Sequence, residues 1–296
     1  MPSRLVSLVI LVYWSVAAFW LLKSDVLPEL TQGYPPDLRG IAFASTPDRP
    51  IRWSIQILDA AKGADPTIVG EAITSSRRES DGWFQMSSRV ELEADKLLKR
   101  TILAAGNRDR LPVLIVSTYQ VDPSGNLQNF DLKVESRDLG EQLLHVFGKL
   151  RKDMMEIASE GPLPILNRKF APFKYQPRSV VSDMLGPIDR LPGLHLGQRW
   201  EMQVVNPFSG QVEQVRVEVK RRTTIPWAGK PETTYEVEQN VSGMKMRTWV
   251  RTDGVILRQE VPFPFLRLML ERRPDDDEAK GVPAAGSRSD SGRTAG

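Results

Sequence analysis

The chain has 296 residues, of which 41% are hydrophobic and 26% are charged, a composition typical of folded globular proteins. Its formal net charge of +3 is the difference between 40 basic and 37 acidic residues. These charges are interleaved along the sequence, which argues against a nucleic-acid partner, because nucleic-acid-binding proteins concentrate basic charge on one face or stripe. The absence of cysteine excludes disulfides, thiolate nucleophiles, thiolate zinc sites and iron–sulfur clusters.

An uncharged apolar run occupies positions 5–22, between Arg4 and Lys23. As an α-helix it would be about 27 Å long, close to the thickness of a bilayer core. The run predicts a transmembrane signal anchor over 1–23, with the N-terminus in the cytoplasm and the following domain outside it. Two alternatives stay open, a signal peptide cleaved after Ala17 and a buried core helix. The residues expected to face lipid are Leu5, Val9, Val12, Trp14, Phe19, Trp20 and Leu22.

The next segment, 24–50, is rich in proline and has few apolar runs, so it predicts a tether. From residue 51 apolar and polar residues alternate, as in Ile51-Arg52-Trp53-Ser54-Ile55, which is the period of a half-buried strand. A turn is predicted at Asp122-Pro123-Ser124-Gly125, because these residue types favour turns. Strands are predicted over 51–58, 68–77, 82–92, 111–121 and 127–134.

The apolar period changes after residue 138. Large apolar residues now recur at spacings of three and four, namely Leu139, Leu143, Leu144, Phe147, Leu150, Met154 and Ile157. This spacing predicts a long amphipathic helix over 139–159, which Gly161 and Pro162 would end. Residues 162–198 carry many prolines and little periodicity, which predicts a crossover with a short helix over 180–185.

Alternation resumes at residue 199, and Asp253-Gly254 is a strong hairpin signal. The residues 52–58 and 199–205 resemble each other, which indicates two similar meanders, 51–160 and 195–263. Past residue 273 the chain is small and polar, so a disordered tail is predicted over 274–296. Strands of the second half are predicted over 199–205, 211–221, 233–240, 244–251 and 255–261.

Together these elements predict an α+β, mainly β fold. A curved antiparallel sheet, or half-barrel, would hold one long amphipathic helix, and a transmembrane helix would precede it. The predicted extracytoplasmic domain spans 51–273, after the anchor and the tether and before the tail.

The second half carries a family resemblance. Leu196-Gly197-Gln198-Arg199-Trp200, followed by strands and by Thr248-Trp249-Val250-Arg251-Thr252-Asp253-Gly254, resembles the periplasmic half-barrel domains of the LolA/LolB lipoprotein carriers and related uncharacterised envelope proteins. The resemblance covers about 199–263. It implies a curved sheet with an apolar cavity for acyl chains or a hydrophobic partner, and it brings no catalytic residue to this chain. The predicted anchor departs from the pattern of a soluble shuttle.

One candidate surface is predicted on the strand 244–251. By strand parity Lys245, Arg247 and Arg251 share the face of Trp249. An aromatic ring among three cations suits an anionic ligand, a glycan or a domain interface.

No catalytic, cofactor-binding or metal-binding residue is assigned. His145 would share a helical face with Glu141, but a metal site needs at least a third ligand. His195 lies in a predicted loop without an accompanying catalytic motif. The acidic run 275–278 lacks the spacing of a calcium loop.

The sequence therefore favours a non-enzymatic, membrane-anchored binding or scaffold module of the bacterial cell envelope, placed in the inner membrane with its domain outside the cytoplasm. A hydrophobic or lipid-like ligand would lie in the half-barrel. The expected partners are the membrane, a lipid and an envelope protein. The alternatives are a subunit of an envelope assembly whose sheet edge pairs with a partner strand, and a hydrolase that acts on envelope polymers through scattered carboxylates.

Overall fold

The computed structural model describes residues 13–17, 49–58, 66–79, 81–98, 112–136, 141–176, 180–181, 189–205, 212–241, 244–263 and 266–274. These ranges form sixteen β-strands, a short helix Ala94–Leu98, a helical turn at 13–17 and a 3-10 turn Pro164–Leu166. The strands of the first half are β1 Ile51–Ile57, β2 Thr67–Arg78, β3 Phe84–Glu93, β4 Pro112–Val121, β5 Leu127–Ser136, β6 Glu141–Arg151, β7 Met154–Glu160, β8 Arg168–Lys169 and β9 Phe173–Lys174. Those of the second half are β10 Val180–Val181, β11 Arg199–Val205, β12 Val212–Trp227, β13 Lys230–Val241, β14 Met244–Arg251, β15 Ile256–Phe263 and β16 Leu266–Arg272.

The strands form one sheet made of two meanders. Strands β1 to β8 pair in chain order, and so do β11 to β16. The meanders lie side by side because β16 pairs antiparallel with β1, with Ile55 opposite Leu270. At the two ends of the sheet, β9 pairs with β7 next to β8, and β10 runs parallel to β11.

The connection between β9 and β10 requires this sheet to curl. A flat sheet of fifteen neighbouring strands would be roughly 65–70 Å wide, at about 4.8 Å between strands. The chain runs from Lys174 to Val180 between its two ends, a distance of at most about 21 Å. The ends indeed approach each other, because the Gln176 backbone N–H donates to Gln203 Oε1 at 3.1 Å. The fold is therefore barrel-like.

Side chains from both meanders fill the inner side of the sheet. One core cluster joins Trp53, Ile55 and Leu270 from the centre of the sheet to Trp200 and Val217 from β11 and β12. A second cluster joins strands β3 to β7, and Val205 of β11 packs into it. Burial of these apolar faces supplies the main driving force for closure.

Two further contacts hold the segments around Tyr175 and Asp189, which lie between the two meanders in the chain, against the sheet. Tyr175, after β9, accepts a hydrogen bond from the Leu127 N–H through its hydroxyl at 2.9 Å, and burial raises the pKa of Tyr175 to about 12. Arg272, on β16, donates to Asp189 at 2.6 Å; the side chain of Arg272 is buried and that of Asp189 is largely buried. Asp189 belongs to the segment that packs on the β14–β15 turn, where Leu191 N–H donates to the Gly254 carbonyl at 2.7 Å.

The alternating segments predicted from the sequence are strands, and the turn at Asp122 is confirmed, with Asp122 Oδ1 accepting from the Ser124 N–H at 2.8 Å. The predicted hairpin at Asp253-Gly254 is also present, with Gly254 at φ 90°. Strands β12 and β13 extend further than predicted because Ala228 and Gly229, at φ 50° and 75°, form a tight two-residue connection. Strand β16 has no counterpart in the prediction.

The predicted long amphipathic helix over 139–159 is wrong, and with it the α+β assignment. Residues 141–160 form the antiparallel hairpin β6–β7, with Lys152 at φ 59° in its turn. Leu144, Val146, Gly148 and Leu150 face inward at a spacing of two, but Leu143 and Phe147 on the outer face add apolar residues between them. Apolar residues on both faces of a strand imitate a helical period.

The predicted membrane anchor is the second correction. In the ranges given above, no helix combines the length and apolarity needed to cross a bilayer, which contradicts the single-pass anchor and the inner-membrane location. Of the predicted anchor residues only Trp14 is described, in a helical turn where it is exposed. The others, Leu5, Val9, Val12, Phe19, Trp20 and Leu22, lie outside the described residues, as do most of the tether and the tail beyond 274. The domain boundaries and the division into halves stay predictions.

Candidate ligand-binding groove

The outer face of the β6–β7 hairpin forms one wall and the floor of a groove. Side chains alternate along each strand, so Phe147 and Lys149 on β6 point to the side opposite the core, as do Glu156 and Ala158 on β7. The segment 161–172 then turns back along the edge of β7, with which Arg168 and Lys169 pair, and forms the second wall. The groove encloses about 1200 Å³, which is ample for a ligand of drug or lipid-fragment size.

Hydrogen bonds hold the second wall in place. Ser159 Oγ on β7 donates to the Leu166 carbonyl at 2.6 Å, and the Gly161 N–H donates to Asn167 Oδ1 at 2.9 Å. Gly161 also permits a close approach, since a Cβ there would lie 2.8 Å from Leu166 Cδ1. The Phe170 N–H donates to the Ile157 carbonyl at 3.0 Å. The wall is therefore an ordered loop rather than an open tail.

The floor of the groove is apolar. Phe147 lies opposite Ala158 in the ladder, and both side chains lie on the outer face. Ile157 and Phe170 also border the groove, but they pack with the second core cluster. The ring of Phe147 packs against the imidazole of His145, with centroids 5.0 Å apart and planes at 41°. His145 is held in turn by Asp131 on β5, whose Oδ2 lies 2.6 Å from Nε2. The contact with Asp131 holds the imidazole of His145, and the imidazole in turn holds the Phe147 ring on the floor.

The rim of the groove carries four cations and two carboxylates. Arg151 pairs with Glu156 at 3.3 Å, and Glu160 lies 4.0 Å from His145 Nδ1. The remaining cations are exposed and have no ion pair within the described ranges; they are Lys149, Arg168 and Lys169. The groove therefore combines an apolar floor with excess positive charge.

The predicted surface around Trp249 has a different character. Arg247 lies over the Trp249 ring, 5.4 Å from its centroid, and donates two hydrogen bonds to Glu260 at 2.7 and 2.9 Å. These hydrogen bonds raise the pKa of Arg247 further above its usual value. Lys245 pairs with Glu238 at 3.4 Å.

Arg251, the third predicted cation, donates to Asp253 at 2.9 Å and lies over the ring of Trp227. Burial raises the pKa of Asp253, but the hydrogen bonds from Arg251 and from the Val255 N–H outweigh it, so that this pKa lies below its usual value. Every cation of the predicted surface thus has a carboxylate partner. A ligand role for Trp249, Lys245, Arg247 and Arg251 stays a prediction.

The two histidines lie apart. His145 is on a strand, so Glu141, four residues earlier, is about 13 Å away along it rather than one helical turn away. The backbone N–H of His195 donates to Gln198 Oε1 at 3.2 Å in the loop before β11. Within the part of the chain that the structure describes, no three His, Asp or Glu side chains cluster in a way that could hold a metal ion.

Sequence reasoning missed the groove because both of its walls were misassigned, one as a helix and the other as an irregular crossover. A usable signal was present in the run from Gly161 to Pro172, where prolines precede the basic pair Arg168-Lys169.

No protein-family model and no curated protein matches the chain. Among solved structures, the chain is similar to a β-barrel-like protein of the domain of unknown function DUF1849 from Brucella abortus, with 10% identity and a TM-score of 0.49 over 76% of this chain and 94% of that one. It also matches a DUF1089 family protein from Pseudomonas aeruginosa, with 18% identity and a TM-score of 0.33 over 69% of this chain and 95% of that one.

Proposed function

We propose that this protein is a binding module and that the groove on the β6–β7 hairpin takes an anionic amphiphile, a molecule with a negatively charged head and an apolar chain. The observation that carries the proposal is the apolar floor made by Phe147 and Ala158 beside three exposed cations without ion-pair partners in the described ranges. The chain of the ligand would lie on the floor and its head would meet the rim.

The floor and the rim of the groove contribute differently to the free energy of ligand binding. Removing roughly 200 Å² of an alkyl chain from water contributes about 5 kcal/mol. An exposed cation contributes about 0.5 kcal/mol to an ion pair. The chain therefore supplies most of the affinity, whereas the charge on the rim selects the sign of the head group.

The outside of the sheet is the better location for such a ligand than the inside. Side chains of both meanders meet in the core clusters, so the inner face packs largely against itself. The resemblance of 199–263 to the LolA/LolB carriers implies an acyl ligand, which agrees with the proposed ligand class. It also implies a site inside the half-barrel, whereas the groove proposed here lies on the outer face.

The alternative drawn from the sequence, in which a partner strand pairs with the sheet edge, has less support next to the groove, at the edge of β7. The hydrogen bond from the Phe170 N–H to the Ile157 carbonyl and the ladders to β8 and β9 already occupy that edge. A ligand held by side chains does not need a free edge.

Two detergents with the same tail and opposite heads test the proposal. Calorimetric titration below the critical micelle concentration should show binding of dodecanoate, and binding of undecyltrimethylammonium, which has the same alkyl tail, should be at least about tenfold weaker, which corresponds to about 1.4 kcal/mol. Equal affinity for both, or preference for the cationic head, would exclude the proposed recognition.

A double variant that removes two rim cations tests whether the preference for an anionic head arises at the groove. Lys149→Gln/Lys169→Gln should weaken dodecanoate binding about fivefold, because two of the three unpaired cations are gone. The matched control Lys220→Gln/Lys245→Gln removes two cations from the other meander, where they pair with Glu218 and Glu238, and should bind like the wild type.

A further inference from the structure

Next to the groove, the 3-10 turn Pro164–Leu166 exposes two large apolar side chains. Leu163 is 59% exposed and Ile165 is 65% exposed. Scattered exposed apolar residues are ordinary, but this pair stands on one turn. Arg168 and Lys169, both lining the groove, follow within a few residues.

The turn is held in this conformation by the body of the protein. The Leu166 N–H donates to the Leu163 carbonyl at 2.9 Å, and the Asn167 N–H donates to the Pro164 carbonyl at 3.1 Å. Leu166 itself points back and packs near Gly161. The fold thus presents Leu163 and Ile165 outward at a fixed place beside the opening of the groove.

From this arrangement we infer that the turn inserts Leu163 and Ile165 into a lipid surface that carries anionic head groups. The inference rests on the proposed function, since an amphiphile with an apolar chain resides in lipid aggregates and has to be taken up there. An apolar tip flanked by cations matches the apolar interior and the negative surface of such an aggregate. The contact is peripheral and reversible, made by two side chains of a loop.

The absence of cysteine from the chain makes a site-specific test possible. A single cysteine placed by Ile165→Cys is labelled with an environment-sensitive NBD dye in the full-length protein. Leu196→Cys, at a side chain that is 55% exposed in the loop before β11, is the matched control. Each labelled protein is mixed with vesicles of phosphatidylcholine alone or of phosphatidylcholine and phosphatidylglycerol in equal parts.

We expect the emission of the dye at position 165 to shift to the blue and rise several-fold with the mixed vesicles, and less with phosphatidylcholine alone. Lipids that carry a quencher in the acyl region should quench it, while the dye at position 196 should not respond. Equal responses at 165 and 196, or none at 165 when the protein sediments with the vesicles, would overturn the inference, since the contact would lie elsewhere.

Two further readouts separate this inference from the proposed function. Dodecanoate titration of Leu163→Ser/Ile165→Ser should give the wild-type affinity, because neither side chain lines the groove. If this variant binds dodecanoate like the wild type and the dye at 165 does not respond to vesicles, the groove is supported and the lipid contact is refuted. If dodecanoate does not bind the wild type while the dye at 165 responds to vesicles, the proposed function is refuted instead. A dye response that depends on protein concentration and not on vesicles would mark a contact between two copies and would overturn the lipid contact.

Discussion

Gly148 provides a test of the hairpin on which the groove is built. A Cβ at this position would clash with Cε1 of Phe130 and lie 2.7 Å from its Cζ and 2.9 Å from its Cδ1. The Phe130 ring belongs to the second core cluster and is buried, so it has little room to move away. Overpacking of this kind lowers the free energy of unfolding by about 1–3 kcal/mol.

The sign of the effect separates the two interpretations of residues 139–159. If the segment were the helix that its apolar spacing indicates, Gly148→Ala would stabilise the protein by about 1 kcal/mol, because alanine is the better helix former. In the strand of the structure the same change should lower the free energy of unfolding by about 1–3 kcal/mol. For a domain of this size that corresponds to a loss of about 2–12 °C in the melting temperature.

Urea denaturation of a double-mutant cycle completes the test. Phe130→Leu removes the ring that the new methyl group would meet, so the double variant should be less destabilised than the sum of the single variants by about 0.5–3 kcal/mol. A neutral or stabilising Gly148→Ala, or strictly additive effects, would refute the packing of β6 against β5 described above.

Three further predictions concern ionisable groups. Asp253→Asn should lower the free energy of unfolding by about 1 kcal/mol at neutral pH. Because the pKa of Asp253 is lowered in the folded state, its carboxylate contributes stability that is lost when the folded state is protonated. The difference in the free energy of unfolding between the variant and the wild type, measured by urea denaturation, should therefore shrink below about pH 4. Asp189→Asn should lower the free energy of unfolding by about 3 kcal/mol, since the buried Arg272 loses its partner at 2.6 Å; a loss below about 1 kcal/mol would contradict the buried pair. With the pKa of Tyr175 raised to about 12, stability should fall from pH 10 upward, and Tyr175→Phe should flatten that fall in alkaline unfolding curves.

The strands were predictable because local chemistry and tertiary structure agree there. Alternation in 51–57 and the turn chemistry of Asp122 and of Asp253-Gly254 act within a few residues, so the sequence displays them. Strand β16 was not predictable in the same way. Pro262 and Pro264 read as an interruption between it and β15, and its pairing with β1 spans more than 200 residues. The helix was wrongly predicted where both faces of β6 carry apolar side chains.

Local sequence patterns did not reveal the floor of the groove. Its floor needs Phe147 and Ala158 as neighbours across the β6–β7 ladder, a relation that a helical assignment conceals. For the Trp249 surface, parity brought Arg247 and the ring to one face, but only the fold reveals that Glu260 neutralises this cation from the neighbouring strand. Charge pairing between strands is a tertiary property, and it decides which cations are free to meet a ligand.

The central claim, that the groove holds the apolar chain of an anionic ligand, is tested most directly by filling its floor. Ala158 lies between Phe147 and Lys169 in the ladder, so the indole of Ala158→Trp would occupy the place proposed for the chain. Thr224→Trp, at an exposed position of β12, is the matched control. We predict that calorimetric titration gives at least about tenfold weaker dodecanoate binding for Ala158→Trp, with an unchanged melting temperature, and wild-type binding for the control. Wild-type affinity in a folded Ala158→Trp protein would contradict the claim.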